Sequence, residues 1–170
     1  MYIMDNDELI AKLESSSGEG EDTLSVEEEI IHKLLIFQID DRKYAVYADL
    51  VKEIVINHDL YFIPFVPPYI TGLINRQGQP YTVFDLKMLF TNERLQASKV
   101  LIMKSDSDFI AFMITDVAEI SGIPASGINL VVSSETENTF IGSCNHRGEE
   151  IFIINVQEIY NRLANDLQNI

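Results

Sequence analysis

The hydrophobic and polar positions of this chain are arranged in short blocks that predict strands. KLLIFQI, from Lys33 to Ile39, is a nearly continuous apolar run with the length of a buried strand, and Asp40-Asp41 predicts a turn after it. The runs KYAVYA, QPYTVF, KVLIMK and DFIAFMI are also rich in the β-branched and aromatic residues that favour strands. The pattern therefore predicts an all-β fold built from short strands.

A few segments have helical spacing instead. DLVKEI, from Asp49 to Ile54, and TDVAEI, from Thr115 to Ile120, are each predicted to form one or two helical turns. Asp85 is predicted to cap a short helix that follows it. After a capping-box pattern, NVQE, the last segment is predicted to be a helix that closes the core, and its apolar face is Val156, Ile159, Tyr160, Leu163 and Leu167.

One segment of the chain is nearly repeated. GLINRQGQPYTVFDLKMLF begins at Gly72, and the similar GSCNHRGEEIFIINVQEIY begins at Gly142. The matching pairs are Gly72/Gly142, Asn75/Asn145 and Gly78/Gly148 at a spacing of 70, and Val51/Val117, Glu53/Glu119 and Ile54/Ile120 at a spacing of 66. A unit of about 60 residues does not bury both faces of its own sheet well. The repeat therefore predicts two similar small β-barrels, packed side by side along a hydrophobic seam.

The charge of the chain is concentrated at its beginning. The formal net charge is −15, and residues 1–30 hold ten acids and one base, which gives −9. Residues 1–30 are predicted to be an acidic, disordered tail, and residues 31–170 the folded domain. Both parts would repel phosphate backbones and anionic membranes, so neither nucleic acid nor a membrane surface is a predicted partner.

The tail has two open interpretations. Residues 1–14 have a capping-box pattern at Asp5 and a small apolar stripe of Leu9, Ile10 and Leu13, which predicts a short helix. Residues 15–29 are mostly Ser, Gly and Glu, which is typical of a linker. The whole segment is either a solvated tail or a docking peptide.

The sequence contains no pattern that predicts catalysis. The three histidines lack metal-binding spacing, and no nucleophile elbow, P-loop or GxGxxG occurs. We therefore predict no catalytic residue, metal or cofactor, and a protein that is not an enzyme. The one cysteine, Cys144, is a buried small hydrophobe or a reactive thiol, and a single cysteine fits a reducing cytoplasm. No apolar run is long enough to insert in a membrane, and no signal peptide opens the chain, so a cytoplasmic location is predicted.

Eleven residues carry a family resemblance, in the runs YAVYADLVKEIV, FIPFVPPYITGLIN and VFDL and at the turn glycine between the last two runs. They are Tyr44, Val51, Glu53, Ile54, Pro64, Pro67, Gly72, Asn75, Gly78, Asp85 and Leu86. In this order, the sequence from about Lys33 to Leu163 resembles the CheW family of chemotaxis coupling proteins. The resemblance implies an all-β fold of two pseudo-symmetric, five-stranded SH3-like β-barrels with a C-terminal helix.

The resemblance also implies a function and a first binding site. CheW-family proteins are non-enzymatic adaptors that couple the cytoplasmic tips of methyl-accepting chemoreceptors to the regulatory domain of the CheA histidine kinase, in arrays at the membrane. Other CheW-like domains are implied as further neighbours. A receptor helix would lie in a groove between the barrels, at Leu35, Ala48, Val51 and Ile54. Plain core packing is the alternative for each of these four residues.

A second implied site is the partner-binding loop Asn75, Arg76, Gln77 and Gly78. The family loop reads Asn-Leu-Arg-Gly, so the arginine here lies one position earlier, which in an extended segment turns its side chain to the other face. Three interpretations stay open. The protein is a coupling protein with altered partner contacts, an auxiliary CheW-like scaffold in a non-standard array, or a small-barrel protein that binds a peptide or ligand outside chemotaxis.

Overall fold

The computed structural model describes residues 28–56, 58–107, 109–131 and 138–168. The helix predicted in residues 1–14 and nearly all of the predicted tail lie outside these ranges. The strands are β1 Ile31–Ile39, β2 Arg42–Tyr47, β3 Val51–Ile56, β4 Ile70–Arg76, β5 Gln79–Phe84, β6 Lys99–Met103, β7 Ile110–Ile114, β8 Asp116–Pro124, β9 Ile128–Leu130, β10 Phe140–His146 and β11 Glu149–Ile154. The helices are α1 Leu86–Thr91 and α2 Val156–Gln168, and short 3₁₀ turns occur at Ala48–Leu50 and Ala125–Gly127.

The strands form two sheets with matching topology. One sheet has the order β8-β1-β2-β11-β10-β9, and the other has the order β3-β6-β7-β5-β4. Strand pairs are antiparallel except β2–β11 and β5–β7, which are parallel and occupy equivalent places in the two sheets. The predicted all-β fold of two pseudo-symmetric barrel-like sheets with a C-terminal helix is therefore confirmed, although one sheet has six strands.

The two halves of the sequence are not the two barrels. The hairpin β1–β2 from the first half pairs with β8 and β11 of the second half, and the hairpin β6–β7 pairs with β3 and β5 of the first. The two similar barrels that the repeat predicts are therefore each built from strands of both halves. Because β2 passes through a single 3₁₀ turn into β3, which belongs to the other sheet, each sheet needs strands from both halves.

Strand β1 shows why the first strand is so apolar. Leu34 and Ile36 lie in a cluster inside the six-stranded sheet, whereas Leu35 and Phe37 lie in the large core that continues into the other sheet. Because successive side chains of a strand point to opposite faces, a strand between two cores needs apolar residues at every position. The predicted hydrophobic seam is thus a continuous buried core between the sheets.

The two segments predicted as helical turns, Asp49–Ile54 and Thr115–Ile120, are mostly strand. A 3₁₀ turn ends at Leu50, and then β3 begins. In β3, the register shifts between Val51 and Glu53, so that Val51 lies opposite Met103 and Ile54 lies opposite Leu101.

The shift is a β-bulge, and its consequence is that residues three apart share a face. Such spacing is typical of a helix, which is why the sequence pattern was misleading. In β8 the same bulge occurs at the equivalent place, because Val117 lies opposite Phe37 and Ile120 lies opposite Leu35.

The predicted cap of the first helix is confirmed. Asp85 is almost fully buried, and its Oδ1 accepts a hydrogen bond from the backbone N–H of Met88 at 3.0 Å. Its Oδ2 accepts a second one from the N–H of Leu95 at 2.9 Å. One carboxylate therefore begins α1 and also holds the chain segment that follows the helix.

The C-terminal helix also begins as predicted. The N–H of Glu158 donates to Asn155 Oδ1 at 3.2 Å, and Ile159 and Leu163 are buried in the core. Leu167 is instead about half exposed, so the apolar face is buried over the first two turns of α2 and not at its end. None of the helices in the described part of the chain has the length and apolarity to span a bilayer.

Candidate functional site

The two bulged strands present apolar residues along the seam between the sheets. We call Val51, Ile54, Val117 and Ile120 the groove rim. The two valines are partly buried and pack on the large core. Ile54 is 41% exposed and Ile120 is 61% exposed, although each lies directly opposite a buried core leucine. Each isoleucine therefore continues a row of core residues out to the surface.

The four predicted groove residues differ in how much surface they offer. Leu35 is 3% exposed and belongs to the large core, so it leaves little surface for a partner. Ala48 and Val51 are partly buried, and Ile54 is exposed. The groove assignment of Ala48, Val51 and Ile54 stays a prediction.

Sequence analysis did not include Ile120 in the groove, although the repeat contained the signal. Ile120 lies 66 positions after Ile54, and the structure gives both residues the same bulged strand and the same seam-facing row. Applying the repeat spacing to the groove residues would have found Val117 and Ile120 together.

The predicted partner-binding loop is a tight hairpin turn between β4 and β5. Gln77 and Gly78 have φ of 54° and 83°, which are left-handed values typical of a two-residue turn. The N–H of Gly78 donates to the side-chain oxygen of Asn75 at 2.9 Å. The turn between β10 and β11 repeats this geometry at Arg147 (φ 52°) and Gly148 (φ 84°), whose N–H donates to Asn145 at 3.2 Å.

Arg76, the shifted arginine, forms an ion pair within the chain. Its Nε donates to both carboxylate oxygens of Glu53 at 3.1 Å, and its Nη2 donates to Oε2 at 3.0 Å. This hydrogen bonding, together with the charge of Glu53, raises the pKa of Arg76. Because β3 and β4 are the two edge strands of the five-stranded sheet, the ion pair connects its edges. Two of the three guanidinium nitrogens of Arg76, Nε and Nη2, are therefore already engaged by Glu53 when a partner approaches.

The equivalent glutamate of the second half is held by two side chains. His146 Nε2 lies 3.1 Å from Glu119 Oε1, and Arg147 Nη2 donates to Glu119 Oε2 at 2.9 Å. Arg147 is nevertheless 75% exposed, whereas the side chain of Arg76 is 42% exposed. The turn of the second half thus presents a cation to solvent at the position where the first half has Gln77.

An exposed apolar loop lies beside the first turn, and the sequence analysis did not predict it as a site. Tyr61 forms two backbone hydrogen bonds of 2.8 Å with Leu73, which attach the loop to β4. Phe62 and Phe65 are 82% and 92% exposed, and Phe65 has a φ of 59°, which is unusual for a bulky residue.

A shallow cleft joins this loop to the turn. The cleft has a volume of about 260 Å³ and is lined by Tyr61, Leu73, Ile74, Asn75 and Pro80. Because Asn75 belongs to the turn and Tyr61 to the loop, the two form one continuous surface. We call this surface, with Phe62 and Phe65, the loop surface.

The described residues offer little for chemistry. Within the described ranges, no group of three or more His, Cys, Asp and Glu side chains is placed to hold a metal ion. Cys144 is fully buried, and its burial raises the pKa of the thiol. This environment fits the interpretation of Cys144 as a buried small hydrophobe.

Comparison with known proteins agrees with this geometry. The model of the CheW-like domain family matches residues 33–164. A similar solved structure is the scaffolding protein TtCheW from Thermoanaerobacter tengcongensis, with a TM-score of 0.68 and 23% sequence identity over 75% of this chain and 90% of that one. No curated protein matches the sequence. The match covers both sheets and most of α2, and the chain therefore belongs to the family of CheW-like domains, chemotaxis scaffold and adaptor proteins.

Proposed function

We propose that this protein couples chemoreceptors to a CheA-type histidine kinase, as a non-enzymatic adaptor. The observation that carries the proposal is the presence of two exposed apolar surfaces on one small domain, the groove rim and the loop surface. An adaptor needs a contact for each partner. In this proposal the protein works in the cytoplasm and is recruited to membrane-associated receptor arrays.

The groove rim suits the helical hairpin at the tip of a receptor. An amphipathic helix binds by laying its apolar face into an apolar groove. Ile54 and Ile120 each have roughly half of their side chain available, and burying such a side chain contributes on the order of 1 kcal/mol. Together with the partly buried Val51 and Ala48, these two contacts would supply part of the roughly 8 kcal/mol that a micromolar affinity requires.

The loop surface suits the regulatory domain of the kinase. Aromatic side chains, including Phe, are enriched at the cores of protein interfaces, and Phe62 and Phe65 are 82% and 92% exposed. Next to them, the amide side chain of Gln77 is exposed and offers a donor and an acceptor. Other CheW-like domains could use the same surface, because the kinase regulatory domain resembles this family.

One observation favours the auxiliary-scaffold alternative. The turn has Gln77 where the family has arginine, and Arg76 is engaged by Glu53. A standard kinase partner whose binding site contacts a guanidinium at that position would contact the neutral amide of Gln77 instead. A partner adapted to Gln77, in a non-standard array, would discriminate against the arginine-containing form.

The test is a pair of variants measured against a pair of partners. Ile120→Asp should abolish calorimetric binding of a receptor hairpin and leave binding of a CheA regulatory domain unchanged. The double variant Phe62→Ser/Phe65→Ser should abolish binding of the CheA regulatory domain and leave binding of the receptor hairpin unchanged. Leu130→Asp is the matched control, because Leu130 is 65% exposed and lies on β9, which is part of neither surface. If the folded protein binds neither partner, the adaptor proposal fails.

A further inference from the structure

A row of residues on one face of β1, which we call the stripe, leads from the beginning of the folded domain to the groove rim, and its exposed apolar members are Ile31 and Ile120. Ile31, at the start of β1, is 55% exposed and lies on the same face of the strand as Leu35. Ile120, opposite Leu35, ends the stripe. Since β1 spans about 3.3 Å per residue, Ile31 and Ile120 lie roughly 13 Å apart along the strand.

A cation lies in the middle of this stripe. Lys33 is exposed, and it shares the face of Ile31 and Leu35. Within the described ranges, no carboxylate forms an ion pair with Lys33, whereas Lys43, Lys87 and Lys99 each have one. The stripe is therefore apolar with one positive charge, on a molecule that is otherwise strongly acidic.

The residues before the described domain have the complementary chemistry. Segment 5–13, DNDELIAKL, places Leu9, Ile10 and Leu13 at helical spacing, and its first turn contains three acids. An acidic amphipathic segment matches an apolar stripe that carries a lysine. The same chemistry is what the groove rim would require of a receptor helix.

The connection is long enough to reach. Residues 14–27 separate the segment from Glu28, and a linker of 14 residues with this Ser- and Gly-containing composition would span about 20 Å on average. The described chain begins next to Ile31, so this reach covers the whole stripe. A tether of this length holds the segment at an effective concentration of about a millimolar.

We propose that segment 5–13 docks on the stripe and on the groove rim of its own chain, and so competes with the receptor helix. The second part of this inference rests on the proposed function, because the competition requires that the receptor uses the groove rim. With a segment whose own affinity is about a millimolar or somewhat tighter, the tether weakens the apparent affinity of the receptor helix by roughly twofold to tenfold. The docked segment would then raise the receptor concentration that is needed for the protein to join the array.

Docking is tested on the full chain without any partner. A nitroxide spin label is attached at Ser16→Cys, while Cys144 stays unlabelled because it is buried. We expect selective broadening of the amide NMR signals of Lys33 and Ile120. The signals of α1 should remain sharp, because α1 lies at the far end of β1, where Lys87 pairs with Asp40 at 2.7 Å.

Variants in the tail provide the control. Replacing Leu9, Ile10 and Leu13 by serine should remove the selective broadening, whereas replacing Leu24 and Val26 by serine should not. Broadening that is absent, uniform or centred on Phe62 and Phe65 would overturn the docking. Receptor-hairpin binding is then compared between the two serine variants by calorimetry.

The binding comparison separates this inference from the proposed function. A hairpin Kd that falls at least twofold in the Leu9/Ile10/Leu13 variant, and stays unchanged in the Leu24/Val26 variant, supports the competition. A Kd that rises shows that the tail contributes to receptor binding and overturns the competition. If no hairpin binds either variant but the selective broadening is present, docking is supported and the proposed function fails.

Discussion

The first and second halves of this chain have equivalent backbone features but differ in the side chains that hold the glutamate on the bulged strand. Both have a bulged edge strand, an asparagine-supported turn with left-handed residues, and a glutamate on the bulged strand that is held by a cation from the hairpin with that turn. In the first half, one arginine in β4 donates to the glutamate through Nε and Nη2. In the second half, His146 in β10 contacts one carboxylate oxygen of Glu119, and Arg147 in the turn donates to the other.

The difference shows what the architecture requires and what it leaves free. The glutamate needs a cation, but the cation can come from the strand or from the turn. Moving the arginine from the turn to the strand therefore keeps the connection between the edge strands and releases the turn position, which holds Gln77. The repeat preserves the fold, and the position before the turn glycine is available for partner recognition.

The largest expected effect comes from the first glycine of each repeat. A Cβ at Gly72 would collide with the backbone carbonyl of Tyr61, and one at Gly142 with that of Asn129. Because a backbone atom does not move away cheaply, each alanine variant should lose roughly 3 kcal/mol or more in urea denaturation. Gly127→Ala is the control, since its Cβ would make only ordinary contacts. An unaffected Gly142→Ala would break the equivalence of the halves.

The next effect concerns the groove rim. Ile54→Asp and Ile120→Asp should each weaken receptor-hairpin binding at least tenfold, because a carboxylate would lose its hydration in an apolar groove without gaining a partner. Both residues are exposed, so unfolding free energies should change by no more than about 0.5 kcal/mol. Calorimetry and melting curves measure the two quantities. If only Ile54→Asp matters, the groove belongs to the first half alone.

The two turn glycines should give a smaller and equal loss. Gly78 and Gly148 have nearly the same left-handed φ, and a Cβ at either would meet open space. Gly78→Ala and Gly148→Ala should therefore cost about 1 kcal/mol each, through the backbone conformation alone. Asparagine at either position should cost less, because it tolerates this conformation better. Unequal losses would show that one turn is strained by its surroundings.

The smallest effect tests the shifted arginine. Arg76→Leu combined with Gln77→Arg gives the first turn a cation where the second turn has Arg147, and the net charge is conserved. We expect the guanidinium introduced at position 77 to reach Glu53 from the turn. Arg147 stays 75% exposed while it pairs with Glu119, so an arginine at position 77 should likewise keep N–H donors available to a partner. Binding of a standard CheA regulatory domain should therefore tighten by a few-fold, as suits one charge-assisted hydrogen bond.

The single variant Arg76→Leu is the control, and it should melt at a lower temperature than the double variant, because Glu53 loses its cation. Weaker kinase binding by a folded double variant would favour a partner adapted to Gln77. It would place the protein in a non-standard array.

Local sequence patterns were sufficient to predict most of the strands, the helix caps and the repeat. Short apolar runs, turn residues and the capping side chains of Asp85 and Asn155 act locally, so their effect can be predicted without knowledge of distant contacts. The 70-residue spacing of glycines likewise predicted the equivalent turns. The family resemblance then indicated the pair of barrels.

The placement of those elements in the two sheets depends on tertiary contacts. The exchange of hairpins between the halves depends on pairing between strands that are far apart in the chain, which no local pattern specifies. The bulges in β3 and β8 were read as helical turns, because a bulge gives the residues Val51 and Ile54 the three-residue spacing of a helix. The role of Arg76 was also missed, because its partner Glu53 is 23 positions away in sequence. The two side chains come within 3.0 Å only because the edges of the five-stranded sheet meet.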